Sequence, residues 1–434
     1  MRKQICLQLL LITLTFLQCG KVQENNAPKK TSSLEVLRQP AEFEPQDGIW
    51  LIWPPEDHKA GLPVEAVTLQ IIAALIPHTR VIVTAATPDL LERASAAIPA
   101  TALKSGRVEL LLLPSEQLWA RDMGPVFVEL RNGSKAVVDF GFNAWGYSAD
   151  EALDDNTIRM EKYDEAVAGL RNLPLISSEL ISEGGNRELN GKGVLMLVQA
   201  VEQSRNPGKT KAWMEAEFRR TLGAQKIIWL KEGLCEDDHT FRGPLPLANG
   251  DHAYTVTTTN GHIDEFARFV NDSTILLAEV PAEDLNEPIA RENQRRLAEN
   301  YAILKKATDQ DGRPFRILRM PMPPLILDSM KPGDPVYDFI STLDYKKGPA
   351  FPVGTTVRVV AAASYLNFLI TDKVVIGQKY WREGMDPAIK AKDEAARAML
   401  QQVFPGRSIL LLDPLAVNFG GGGIHCITMQ EPTI

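Results

Sequence analysis

The chain has 434 residues, 44% of them hydrophobic and 24% charged, enough for one large or two medium globular domains. Its formal net charge of −8 argues against a nucleic-acid partner and suits a small cationic one.

The chain opens with a targeting signal. Arg2 and Lys3 precede an apolar run, Leu7 to Leu17, too short to span a bilayer comfortably and shaped like the centre of a signal peptide. Residues 1–18 are therefore expected to be removed. Cys19 follows and resembles the lipidated cysteine of bacterial lipoproteins, although Gln18 is a looser choice than the small residue usually found there. The plainer reading is cleavage near Gly20 with release. The expectation is an exported protein held at a membrane only through a lipid on Cys19, with residues 19–41 as a flexible polar tether. Of the four cysteines, only Cys235 and Cys426 then remain as thiols. Two thiols make no disulfide framework, so Cys426 needs an explanation; a Cys235–Cys426 bridge is the structural alternative.

From Glu42 onward no linker or low-complexity stretch divides the chain, and residues 42–434 read as one domain. Strands are predicted at 49–53, 80–84, 108–113, 126–130, 135–139, 194–198 and 226–230, then at 253–258, 274–278, 316–320, 357–361, 368–376 and 408–412. Helices fall between them. Thr87-Pro88 and Asp386-Pro387 each pair a capping side chain with a first-turn proline. Lys211 to Leu222 and Glu287 to Ala307 complete the strongest set, the latter with Ile289, Leu297, Tyr301 and Leu304 on one stripe. The alternation predicts an α/β fold, and periodicity gives no topology beyond that.

Four stretches do not read as core. Trp119-Ala-Arg121-Asp122-Met-Gly124-Pro125 and Glu183-Gly184-Gly185-Asn186 are polar turns between β runs. In Asn260-Gly-His262-Ile-Asp264, an extended backbone would set His262 and Asp264 on one face, as acid–base group and anchor or as a satisfied buried pair. Finally, Gly420 to Gly423 precede Ile424 to Thr428, which read as a short buried strand holding Cys426. A run of four glycines fits main chain lying against a small bound group, while an inert buried cysteine after a turn is the bland alternative.

Together these offer a thiol, an imidazole and three carboxylates. Metal binding is conceivable, but no zinc, calcium-loop, P-loop or dinucleotide pattern is present. Carboxylates suit a guanidinium, whose planar fork of donors they bind by charge-assisted hydrogen bonds. A thiolate adding to its carbon, with one nitrogen leaving as ammonia, uses the whole set. A unit positive charge ~4 Å from a thiol contributes on the order of 4 kcal/mol at an effective dielectric of 20, or ~3 pK units, so the substrate helps ionise its own nucleophile.

In series, Trp119-Ala-Arg-Asp-Met-Gly-Pro125, Glu183-Gly-Gly-Asn186, Gly261-His-Ile-Asp264 with Arg268-Phe269, and Gly421-Gly-Gly-Ile-His-Cys-Ile-Thr428 resemble the motifs of the agmatine deiminase and bacterial peptidyl-arginine deiminase family. The resemblance implies a single-domain propeller of five pseudo-symmetric α/β units, a pentein, with the active site on its axis and no metal or organic cofactor. It implies Cys426 as nucleophile, His262 as general acid/base, Asp122 and Asp264 gripping the guanidinium, and Glu183 completing the carboxylate set. Trp119, Asn367, Gly422 and Gly423 are expected to contact substrate. It also implies agmatine or peptidyl-arginine as substrate; the absence of an added peptide-binding domain leans slightly towards agmatine, and the exported location pulls the other way. Two features depart from the pattern: Asn260 stands where the family often has an acid, and residues 231–260 are long, reading as an extra loop near the mouth or a solvated excursion. A non-catalytic lipoprotein binding cationic ligands and a cysteine amidase are the competing readings.

Overall fold

The apolar patterning places most elements where it predicts them. The computed structural model describes residues 34–148 and 153–434. The signal peptide, Cys19 and most of the tether lie outside the described residues. Val126–Leu130, Val194–Val198, Lys226–Leu230 and Ser408–Leu412 are strands with the expected bounds, and Lys211–Leu222 is a helix with the expected bounds. Thr87 and Asp386 cap the helices Pro88–Ala97 and Pro387–Val403 by accepting the N–H groups of Leu90 and Ala388.

The described strands form six sheets of mixed direction. Five share a plan in which an antiparallel pair is followed by a parallel strand. Leu369–Ile370, Val374–Gln378 and Ser408–Leu412 form one example, and Ala267–Asn271, Thr274–Glu279 and Arg316–Pro321 another. The C-terminal strand Thr428–Pro432 pairs antiparallel with Gln46–Ile52, which runs parallel to Arg80–Ala85. The chain thus closes on its own beginning, carrying Cys426 back to the first strands. Val194 to Val198 are all buried, as expected of a strand covered on both faces.

The structure corrects several expectations. The fold begins before Glu42: Val36–Arg38, assigned to the tether, is a strand paired with Val126–Leu130, and Arg38 is ion-paired to Glu44 and Glu129. The run 368–376 is a hairpin rather than one strand, turning at Thr371, whose hydroxyl donates to the Val374 carbonyl. Ile424 to Ile427 form a turn, not a strand, and regular structure resumes at Thr428. Cys235 and Cys426 are both free thiols.

Residues 231–260 are no solvated excursion. Leu245–Pro246 and His252–Thr255 belong to the sixth sheet, with Val357–Val360 and Leu327–Met330. A separate apolar cluster including Tyr254, Val256, Tyr337, Phe351 and Phe419 packs this sheet against the glycine run. The helix Pro288–Leu304 buries Ile289, Leu297 and Leu304 together with Asn293, Arg296 and Asn300, and those polar side chains bond to the same segment.

Candidate active site

Four turns at strand ends converge. The one-turn helix Ala120–Met123 presents Asp122, buried, whose Oδ1 accepts the Gly185 N–H at 2.8 Å and whose Oδ2 accepts the Trp145 indole N–H at 2.8 Å. Any side chain at Gly185 would collide with the His262 ring and the Asp122 carboxylate. Glu183, just before that turn, accepts from Arg205 Nε at 2.6 Å, and its Oε2 lies 3.4 Å from His262 Nε2. His262 Nδ1 stands 3.7 Å from Asp122 Oδ1.

His262 and Asp264 do meet, but not as alternate residues of a strand. Ile263–Glu265 is a 3₁₀ turn, so Asp264 and Glu265 both swing towards Cys426. The Cys426 sulfur is 3.1 Å from Asn367 Nδ2, 3.5 Å from Asp264 Oδ2 and 3.8 Å from Glu265 Oε1. Asp264 Oδ2 also lies 2.7 Å from His425 Nδ1, and His425 Nε2 is 2.7 Å from Glu42 Oε2. The other Asp264 oxygen, Oδ1, is buried and accepts no hydrogen bond among the described residues, nor has His262 Nδ1 a partner there. Buried polar atoms are seldom left so, since each costs about 1–3 kcal/mol.

The electrostatics follow from burial against charge. Burial opposes a charge on the His262 ring, but Asp122 and Glu183 outweigh it and hold its pKa up at about 9. Burial likewise opposes ionisation of Glu183, yet Arg205 and His262 hold its pKa down at about 2. Burial, reinforced by Asp264, Glu265 and Asp122, pushes the Cys426 thiol well above its ordinary range. Glu265 is also raised well above the usual carboxylate range, by burial and by Asp264. The resting site therefore favours a neutral thiol beside a charged imidazole, with Glu265 the more weakly acidic of the two neighbouring carboxyls.

Trp119 forms one wall, stacked on His58 at 5.6 Å and edge-on to Trp145 at 6.5 Å. With Asp122, Thr257 to Thr259, Gly420, Gly421 and Cys426 these tryptophans line a narrow cavity of about 20 Å³. Gly422 instead backs the sulfur and Trp119, and Gly423 faces the side chains of Asn367 and Gln378. Size does not locate the chemistry: a cavity of about 330 Å³ elsewhere, lined by Glu236, Val280 and Met322 among others, contains neither thiol nor imidazole.

Every residue singled out from the sequence motifs thus lies in or against one cluster. Sequence reasoning missed Glu265, His425, Glu42, Arg205 and Trp145. Glu265 and His425 sit beside residues that were chosen, and the assumption of extended backbone turned them away from the site. Nothing in the local sequence marks Arg205 or Trp145.

The model of the Porphyromonas-type peptidyl-arginine deiminase family matches residues 38–242 and 247–432. The chain belongs to that family. It is a hydrolase that deiminates guanidinium groups, and the cluster of thiol, imidazole and carboxylates is equipped for that reaction. Among its relatives, the agmatine deiminase of Pseudomonas aeruginosa (strain LESB58) is 28% identical over 418 residues, covering 93% of this chain and 98% of the relative. The agmatine deiminase of Medicago truncatula is 27% identical, covering 94% and 99%. In structure, the agmatine deiminase of Enterococcus faecalis aligns with a TM-score of 0.73 at 24% identity, covering 93% of this chain and 99% of that one.

Proposed function

We propose that this deiminase acts on small guanidinium compounds, agmatine first among them, yielding ammonia and N-carbamoylputrescine. The observation that carries the reading is Asp264 Oδ1, buried and without a hydrogen bond among the described residues, on the carboxylate whose other oxygen lies 3.5 Å from the Cys426 sulfur. Asp264 Oδ1 is an acceptor for a guanidinium N–H, and the flat cation lies between Asp264 and Asp122 above the Cys426 sulfur. Its charge offsets the carboxylates that keep the thiol neutral, so binding releases the thiol proton.

The thiolate then adds to the guanidinium carbon, giving a neutral tetrahedral adduct. His262, charged at rest, donates its proton to one nitrogen, which leaves as ammonia and creates a C–S-bonded thiouronium cation. The now neutral imidazole takes a proton from water as the hydroxyl adds to the same carbon. Collapse breaks the C–S bond, the hydroxyl proton passes to sulfur, and a ureido product forms. Glu183 and Asp122 hold the proton on His262 between turnovers, and Asn367 steadies the sulfur.

The narrow cavity favours a slender substrate entering by its head group. Peptidyl-arginine is the second reading, supported by the family's description and by the export signal read in residues 1–18. The N-terminal pattern supports a location outside the cytoplasm with a lipid on Cys19. The five sheets of common plan, together with the relatives' likeness, support a five-bladed pentein propeller.

A colorimetric ureido assay of the tail-less protein against agmatine, free arginine and arginine peptides tests the reading. Agmatine is expected to turn over fastest, and Cys426→Ser to abolish product while still binding substrate. Turnover of arginine peptides alone overturns the substrate, and ammonia release surviving Cys426→Ser overturns the nucleophile.

A further inference from the structure

The segment 231–260 supplies a carboxylate to the catalytic histidine's own loop. Its 3₁₀ turn Cys235–Asp237 lies against the loop Thr259–His262, and Asp237 is only 6% exposed. Asp237 Oδ1 accepts the Thr259 main-chain N–H at 2.8 Å. Its Oδ2 accepts the Thr259 hydroxyl at 2.5 Å, the Gly261 N–H at 3.1 Å and the His262 N–H at 3.0 Å. Four donors converge on one side chain, and only a carboxylate offers that many acceptor sites. The loop needs such a clamp, because Asn260 and Gly261 both take positive φ, +72° and +105°.

The turn itself is fixed from behind by a helix. Asn293, on Pro288–Leu304, accepts the Cys235 N–H at 2.8 Å and donates to Glu236 at 2.7 Å, while Arg296 makes two 2.8 Å hydrogen bonds to Asp238. A rigid helix, a turn, a carboxylate and the histidine's main chain therefore form one continuous support.

We infer that Asp237 is a positioning residue for the deamination: through the backbone of Thr259, Gly261 and His262 it sets the His262 imidazole between Asp122 and Glu183. This rests on the reading of His262 as the acid and base. Both Asp237 oxygens are taken up by the loop's donors and Asp237 does not line the cavity beside Cys426, so its loss should act on proton transfer rather than on binding.

Asp237→Asn keeps the volume but replaces two acceptor sites with an N–H₂ that opposes the loop's donors. Expected with agmatine is a 10- to 100-fold fall in kcat, KM within about threefold of wild type, and an altered alkaline limb of the rate profile. A residue with a purely structural role would lower the melting temperature and leave kcat per folded molecule and that limb unchanged. Should Asp237→Asn fail to fold, Thr259→Val removes the hydroxyl that donates to the same carboxylate and accepts the His262 N–H, and is expected to lower kcat by about three- to tenfold and to alter the same alkaline limb. Wild-type kcat and pH profile in the folded Asp237→Asn protein, or in Thr259→Val where the first does not fold, overturn the inference. His262→Ala as active as wild type would instead overturn the reading of His262, which separates the two failures.

Discussion

Asn367 holds Cys426 from two sides: its Nδ2 lies 3.1 Å from the sulfur, while its Oδ1 accepts the Cys426 main-chain N–H at 3.4 Å. The same Oδ1 accepts the His425 N–H at 2.9 Å, and the Nδ2 donates to Asp264 and Glu265 at 3.1 and 2.9 Å. One amide therefore orients the nucleophile and spaces it from the acids beside it. Its orientation is set by this network, because exchanging O and N would face donors with donors.

Asn367→Asp keeps the shape but exchanges the donor for a further negative charge. A hydrogen bond to a charged group contributes roughly 1.5–3 kcal/mol, so a 10- to 100-fold fall in kcat is expected, about one decade per 1.4 kcal/mol. Steady-state ammonia release measures it, and an unchanged kcat would show that the amide does not assist the thiolate.

The pH dependence is set by His262. Its charge is held by Asp122 and Glu183 up to about pH 9, so kcat/KM should fall above that pH, as the acid that protonates the leaving nitrogen is lost. Glu183→Gln removes one of the two carboxylates and should move this limb down by about one pH unit. The same ionisation contributes to stability. The folded value exceeds the ordinary 6.5, so the contribution is complete below pH 6.5 and fades as pH rises through 9. Urea unfolding at pH 6 and pH 10, compared with His262→Gln, reads it out as a pH slope that the variant lacks.

Glu265 and Asp264 are neighbours whose acidities are shifted in opposite directions. Burial and Asp264 raise Glu265 well above the carboxylate range, whereas Asp264, despite burial, is lowered by its hydrogen bond with His425 and by the charges of His262 and Arg268. Glutamine mimics a neutral acid, so Glu265→Gln should keep kcat within about tenfold and stability within about 1 kcal/mol. Asp264→Asn removes the charge that faces the guanidinium and should lower kcat/KM by more than about 100-fold. Equal losses in the two variants would contradict a neutral Glu265.

Gly421 lies at φ +110°, and a Cβ there would run into the Thr257 carbonyl of the sixth sheet's segment. Gly421→Ala combines backbone strain with an overlap that neither main chain can relieve. A stability loss of at least about 2 kcal/mol is expected, together with reduced turnover. Differential scanning calorimetry with a parallel activity assay checks both. An alanine variant with wild-type melting would mean that the roof over the cavity yields.

Much of the site was legible because each piece is a local oddity. A free thiol after four glycines, a Gly-His-x-Asp turn and two polar turns between β runs each stand out without any fold. The α/β class and the caps at Thr87 and Asp386 were legible for the same reason: hydrophobic period, capping oxygens and proline act over a few residues. Local pattern misjudged whatever depended on backbone not yet placed. Extended backbone was assumed at His262–Asp264, where a 3₁₀ turn brings Glu265 inward, and at 424–427, where a turn holds His425 against Asp264 and Glu42.

The sequence by itself determined the chemical inventory: which side chains this protein can bring to a cation, and which strands and helices it can build. Tertiary structure alone decided their charge states and their supports. Cys426 is neutral and His262 charged because residues scattered from 122 to 426 share one water-poor cluster, and charge interactions there depend on distance and burial rather than on order along the chain. The segment 231–260 read as an extra loop near the mouth or a solvated excursion for the same reason, since nothing in its composition shows that Asp237 meets the backbone of His262.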